Sequence, residues 1–233
     1  MTERTFDDFD EFATNYRSIH TENLKLSGAD SLYFAQHKIL QLKQTEEGND
    51  ATLLDVGCGD GASEIFLHKF FPSWKLEGID ITKQSITEAQ NRKISGADFR
   101  LYNGTDIPYE DNKFDVVFMA AVLHHIDFSL HHIVIKEIHR VLKPGGRIYI
   151  FEHNPLNPFT RYLVKTCPFD KNAKLLSGNY CKQILKAKLF KQIKVKYILF
   201  FPRTGLLSKL IWMEKKLGWL PIGGQYFYRA VKS

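Results

Sequence analysis

From residue 52 to residue 151 the chain alternates short apolar runs with longer stretches of helical spacing. That alternation restricts the fold more than any other feature. The strand-like runs are 52–56, 75–79, 98–102, 114–120 and 147–151, and helix-like stretches at 61–71, 82–94 and 129–142 separate most of them. Parallel neighbours need a crossover connection, usually a helix, so this pattern predicts a parallel sheet covered on both faces. The pattern changes after Asn154-Pro155. A helix near 179–189 leads into a long strand at 192–201, and a last strand follows at 225–231. Two late strands without a crossover helix predict an antiparallel pair at one sheet edge. The expected fold class is α/β: a seven-stranded, mostly parallel sheet with helices on both faces and an antiparallel C-terminal strand pair.

Ahead of the sheet, residues 6–20 and 29–44 read as two helices. Leu32, Phe34, Ala35, Ile39, Leu40 and Leu42 keep roughly helical spacing in the second, and Gly48-Asn49-Asp50 breaks the chain after it. A length of 233 residues suits one full-size domain, and no linker divides it. No apolar run approaches the roughly 18 residues that span a bilayer. Met1-Thr2-Glu3-Arg4 begins no secretory signal. The three cysteines, Cys58, Cys167 and Cys181, lack metal-ligand spacing and fit a reducing compartment, so the expected location is cytoplasmic. The charge is divided: residues 151–233 hold 16 Lys/Arg against 3 Asp/Glu, while the first 150 hold 16 against 23. A basic C-terminal third suits an anionic substrate or surface, and equally a solvated lysine-rich face.

The residues that carry chemistry start at the first strand–helix junction, Leu54-Asp55-Val56-Gly57-Cys58-Gly59-Asp60-Gly61. The glycines permit a tight turn and close approach of a ligand to the backbone. The run Gly57 to Ala62 also satisfies the dinucleotide fingerprint, which keeps a nicotinamide or flavin oxidoreductase open. Gly78-Ile79-Asp80 ends the second strand with an acid 23 residues after Gly57, placed to accept hydrogen bonds from ribose hydroxyls. Tyr102-Asn103-Gly104-Thr105-Asp106 follows the third strand. Phe114-Asp115-Val116-Val117-Phe118 runs on to Leu123-His124-His125, and Leu142-Lys143-Pro144-Gly145-Gly146-Arg147 precedes the fifth strand.

These five motifs, in this order and spacing, resemble the class I SAM-dependent methyltransferases, in particular the group acting on small molecules and lipids. The resemblance covers residues 50–155 most fully and implies a Rossmann-like sheet and S-adenosylmethionine (SAM) as cofactor, with S-adenosylhomocysteine as product. It implies one domain over 1–233: a helical lid at 1–50, a cofactor-binding core at 51–155 and substrate-side elements at 156–233. Asp55, Gly57, Cys58 and Gly59 would then line the methionine and ribose end of SAM. Asp80 would hold the ribose hydroxyls with Ile81 against the adenine, Thr105, Asp106 and Ile107 would reach the adenine, and Ala120-Ala121 would lie beneath the cofactor. SAM carries a sulfonium and an ammonium and no pyrophosphate, so an acidic lining suits it better than NAD. A module of this fold that binds SAM without catalysis is the remaining alternative.

Methyl transfer is an in-line attack on a carbon already activated by positive sulfur, so orientation and exclusion of water supply much of the rate. A base matters only where the nucleophile must lose a proton. His124 and His125 are the candidates, against the alternative that their turn is structural. His131, His132 and His139 have no acidic or cysteine partner in the sequence pattern, so no metal is expected. Met119-Ala120-Ala121-Val122 lacks the Asn/Asp-Pro-Pro turn of exocyclic-amine methyltransferases, and Cys167-Pro168 reverses the order of the cytosine nucleophile motif. DNA is therefore not the expected substrate; the expected acceptor is a small or lipid-like molecule, and the basic C-terminal third suits an anionic one. Tyr16, Arg17, Tyr33 and Arg161 are candidate acceptor contacts by position. The stretch 205–220 is basic and amphipathic with Trp212 and Trp219; it suits peripheral contact with an anionic membrane, or a cover over a sheet edge or partner.

Overall fold

The computed structural model describes residues 31–46, 50–167, 170 and 173–233. Its elements are α1 (Ser31–Lys43), β1 (Thr52–Val56), α2 (Ala62–Phe70), β2 (Lys75–Asp80), α3 (Lys83–Asn91), β3 (Ala97–Leu101), β4 (Phe114–Ala120), α4 (Phe128–Val141) and β5 (Leu142–His153), then α5 (Pro158–Thr166), α6 (Gly178–Ala187), β6 (Phe190–Ile198), α7 (Glu214–Leu217) and β7 (Gln225–Lys232). The strands form one sheet in the order β3-β2-β1-β4-β5-β7-β6. β3, β2, β1, β4 and β5 pair in parallel, and β7 runs antiparallel to both β5 and β6. The expected Rossmann-like sheet with its late antiparallel pair is the fold observed.

The central strands are apolar on both sides because both faces are covered. Leu53, Leu54 and Val56 of β1, Val116 to Met119 of β4 and Ile148 to Phe151 of β5 are fully buried. One face packs against α4 and α6 through Val134, Ile135, Ile138 and Leu185. The other packs against α1 and α2 through Ile39, Leu42 and Leu67. The C-terminal end of α1 is tied down further by Glu46, which accepts hydrogen bonds from Tyr149 Oη at 2.6 Å and from the Arg147 guanidinium. At the far edge, β6 presents Lys191, Lys194 and Lys196, and charge there discourages pairing with a further strand.

Several boundaries depart from the sequence expectation. β5 begins at Leu142, not 147. Phe114 pairs with Leu142, the chain then bulges through Pro144-Gly145-Gly146, and pairing resumes at Val116 with Arg147. Helix α5 was not expected at all, although Asn157 caps it by accepting from Thr160 N at 2.9 Å and Pro158 occupies its first turn. That Asn-Pro pair is a legible start signal. The stretch 205–220 is not one amphipathic helix but a 3-10 segment, Leu206–Met213, followed by the single turn α7, with no fully buried residue in either. The expected N-terminal helix at 6–20 lies outside the described residues.

The chain leaves β1 toward β2 on one side and returns to β4 on the other. The C-terminal ends of β1 and β4 therefore diverge into a crevice, where ligands bind in open α/β sheets.

Candidate functional site

The turn after β1 is built by backbone bonds and one carboxylate. Gly57 N and Cys58 N both donate to Ile79 O, at 2.8 and 3.1 Å, which ties the turn to the end of β2. Asp80 then accepts Gly59 N on Oδ2 and Thr82 N on Oδ1, each at 2.9 Å. Burial pushes the Asp80 carboxyl up, and those amide donors work in the opposite direction. Gly57 has φ +77°, and a Cβ there would come within 2.4 Å of a Val122 methyl. The turn is thus packed directly against the segment that follows β4.

Beneath the turn lie groups of high electrostatic cost. Asp55 and Glu64 are both buried. Burial pushes the Asp55 carboxyl up to about 7, with the Asp80 charge adding to the rise and Glu64 and Lys38 opposing it. Burial and the Asp55 charge raise Glu64 well above its usual range. Lys38 of α1 faces this acidic floor: burial pulls its amine down to about 8 against the Glu152 and Asp55 charges. Burial also raises the Cys58 thiol well above normal, which keeps it protonated at neutral pH.

The adenine-side candidates divide. Asp106 is exposed, within a loop in which Asn103 accepts from Thr105 N and Asp106 N and donates to Asp106 Oδ2 at 2.7 Å. Ile81 and Thr105 are half-buried beside it. Ile107, by contrast, belongs to the core, 4% exposed, with its amide on Glu137 Oε2. Ala120 and Ala121 are half-buried at the end of β4, Ala121 with φ +60°.

On the β4–β5 side, His124 and His125 lie in a 3-10 turn, Leu123–His125. His124 is buried, and its Nδ1 meets Glu152 Oε2 at 2.6 Å; the other Glu152 oxygen accepts Leu123 N at 3.0 Å. Asp170 approaches from the far side, its Oδ1 standing 3.7 Å from His124 Nε2 and 3.4 Å from His125 Nε2. Burial disfavours the His124 cation, yet the Glu152 charge and then Asp170 bring it to about 9. Asp170 is half-buried, which raises its carboxyl, but the nearby His124 and the charges of His153 and His125 hold it well below the usual range. Glu152 and Asp170 are thus acidic neighbours of the histidine turn, one on each side of His124. Asp170 was not legible because it lies 45 residues along from His125. His131 is a core histidine, bonded to Tyr180 Oη at 2.8 Å and to the Leu123 and Ile126 carbonyls.

Of the expected acceptor contacts, Tyr33 and Arg161 are among the described residues. Tyr33 takes the Arg203 guanidinium over its ring at 4.3 Å. Arg161 is exposed on α5, and Tyr16 and Arg17 lie outside the described residues. Lys38, Glu64, Glu152 and Asp170 are the site groups that sequence reasoning missed.

Residues 54–150 match the family model described as a methyltransferase domain. A demethylmenaquinone methyltransferase of Staphylococcus aureus is 32% identical over 125 residues, which cover 51% of this chain and 51% of that protein. A ubiquinone/menaquinone biosynthesis C-methyltransferase of Desulfotalea psychrophila is 28% identical over 116 residues, covering 47% and 46%. The chain thus spans about half the length of the curated relatives it matches. Among solved structures, a SAM-dependent methyltransferase of Thermotoga maritima, described as a possible histamine N-methyltransferase, superposes with a TM-score of 0.71 at 20% identity, covering 98% of this chain and all of that one. A phosphoethanolamine N-methyltransferase of Haemonchus contortus in complex with SAM gives 0.70 at 19% identity, covering 99% of this chain and 60% of that one.

Proposed function

We propose that this chain, whose residues 54–150 match a methyltransferase domain, is a class I SAM-dependent methyltransferase that transfers a methyl group from SAM to a small or lipid-like acceptor. The observation that carries the reading is the clasp of Asp80 on the Gly59 amide at the mouth of the β1–β4 crevice. It sets a carboxylate beside an open glycine turn, which is what a ribose needs. Asp55, Glu64 and Asp80 make the floor and rim acidic, favouring a sulfonium and an ammonium over a pyrophosphate. Binding energy here acts by orientation: the acceptor atom is held in line with the methyl carbon, away from water. Where the acceptor must lose a proton, His124, His125 and Asp170 are the groups at the neighbouring strand ends. Calorimetric titration with SAM and S-adenosylhomocysteine tests the reading. Absence of binding by both, or equally tight binding of NADH, overturns it. A radiolabelled-methyl assay over metabolite and lipid extracts separates an enzyme from a non-catalytic SAM-binding module.

The lipid-like side of the reading rests on the C-terminal face. Leu206, Leu207, Trp212, Trp219 and Ile222 are each more than half exposed, and Arg203, Lys209, Lys215 and Lys216 lie among them in sequence. Large apolar side chains interleaved with cations suit an anionic membrane surface. Among the described residues no helix is long and apolar enough to cross a membrane, and the contact proposed is a peripheral one. The demethylmenaquinone named for the Staphylococcus relative supports an acceptor of this kind. Co-sedimentation with anionic vesicles should fall when Trp212 and Trp219 are replaced by Ala, and unchanged partition would remove the membrane contact.

A further inference from the structure

We propose that His124, His125 and Asp170 form a binding site for a divalent transition-metal ion. One ligand atom from each of the three lies within 4.8 Å of the others. The two spacings to Asp170 Oδ1, 3.4 and 3.7 Å, are too long for good hydrogen bonds. They are the spacing of donors around one ion, since two ligands each ~2.1 Å from a tetrahedral zinc stand about 3.4 Å apart.

The surroundings fit the same reading. Glu152 holds His124 by Nδ1, which turns Nε2 toward Asp170. Among the described residues that Nε2 makes no hydrogen bond, although His124 is only 2% exposed. A buried ring nitrogen aimed at a carboxylate, with a second carboxylate behind the ring, is the arrangement by which proteins orient a metal-binding histidine. Two of the three ligands, His124 and Asp170, are also tied by backbone bonds. Lys174 N donates to His124 O at 2.9 Å, Ala173 N to Asp170 O at 2.8 Å and Asp170 N to Cys167 O at 3.2 Å. Those bonds draw the Asp170 segment onto the histidine turn.

The donor set selects the ion. Two imidazoles and one carboxylate, without a thiolate, suit Zn²⁺, Mn²⁺ or Fe²⁺. Three protein ligands leave coordination positions open, as in sites that act on a substrate. The side chains of His125 and Asp170 are 20% and 12% exposed, which gives those positions an approach from outside. Resting on the methyltransferase reading, the ligand for an open position is an acceptor's hydroxyl or enol oxygen. The ion would orient that oxygen and ease loss of its proton.

The test uses the full chain, stripped with a chelator and then dialysed against Zn²⁺ or Co²⁺. Elemental analysis should find about one ion per chain, and Co²⁺ should give a visible absorption band with nitrogen and oxygen ligands. His125→Ala and Asp170→Asn should each abolish the band, while Glu152→Gln should weaken affinity about 10- to 100-fold. S-adenosylhomocysteine titration on the same samples reports whether each variant is folded. A wild-type chain that binds S-adenosylhomocysteine but retains no ion overturns the metal site, as does undiminished ion binding in both ligand variants. A chain that binds the ion but neither SAM nor its product keeps the metal site and sinks the methyltransferase reading.

Discussion

Asp80 Oδ2 accepts the Gly59 amide at 2.9 Å, so the carboxylate ending β2 holds the turn that follows β1. The side chain expected to grip a ribose is thereby immobilised before any ligand arrives. Loss of a hydrogen bond to a charged group costs about 1.5–3 kcal/mol, roughly ten- to a hundredfold in affinity. Asp80→Ala should weaken S-adenosylhomocysteine binding by at least that much in calorimetry. Asp80→Asn, which keeps an acceptor oxygen, should fall between Ala and wild type. Wild-type affinity in the Ala variant would remove Asp80 from the site.

Gly57 and Gly59 should separate folding from binding. Both have positive φ, +77° and +55°, which costs a side chain about 1–2 kcal/mol. At Gly57 the new methyl also collides with Val122, adding about 1–3 kcal/mol of overpacking. A Cβ at Gly59 meets nothing within 4 Å. Gly57→Ala should therefore lower the Tm more than Gly59→Ala, and Val122→Ala should partly restore it. Gly59→Ala should lose more SAM affinity than stability.

The Asp55–Glu64 pair gives the apo protein a pH dependence of definite sign. Both carboxyls are raised in the folded chain, so between about pH 4 and 7 the native state binds more protons than the unfolded one. Stability is greatest below the unfolded pKa values and declines as pH rises through that window. Urea midpoints should show the decline. Glu64→Gln should flatten it, because it removes one of the two raised carboxyls and the charge that acts on the other. An unchanged slope in that variant would mean the two carboxyls do not act together.

Glu46 should matter to stability and not to the cofactor. It receives both Tyr149 and Arg147, and its own side chain is 2% exposed against 23% for Arg147. Breaking a fully buried ion pair costs about 3–5 kcal/mol, and the partial exposure of Arg147 places Glu46→Ala near or below the low end. Denaturant unfolding should register that loss while S-adenosylhomocysteine affinity stays at wild-type level.

The cofactor half of the fold was legible because its signals are local. The glycine turn, the apolar runs and the acid at Asp80 each declare themselves within a few residues, and β1, β2 and β4 fall where the pattern put them. The β7–β6 pair was equally plain, since two strands without a crossover have few ways to join a sheet. What escaped depended on distant neighbours. Ile107 read as an adenine contact because its motif lies next to Asp106, yet packing against α4 takes it into the core. Glu64 and Lys38 occupy ordinary helix positions, and only the fold reveals that both face Asp55. Asp170 lies 45 residues beyond His125 in the chain, and only the fold brings the two together.

The position of β7 carries a consequence for assembly. β5 meets β7 from Arg147–Val231 to His153–Gln225, and β6 reaches the sheet only through β7. A ribosome delivers β6 first, so it waits without a partner while the outer edge of β5 lies open. Closing the loop from His153 to Gln225 carries an entropic cost before any ladder bond forms, and such long-range pairings are slow. During that interval the strand end bearing Glu152 and His153 is one side of an unfinished sheet, available to the β7 of another nascent copy. Exchange between chains would then be a hazard of synthesis, confined to the moments before each molecule closes on itself.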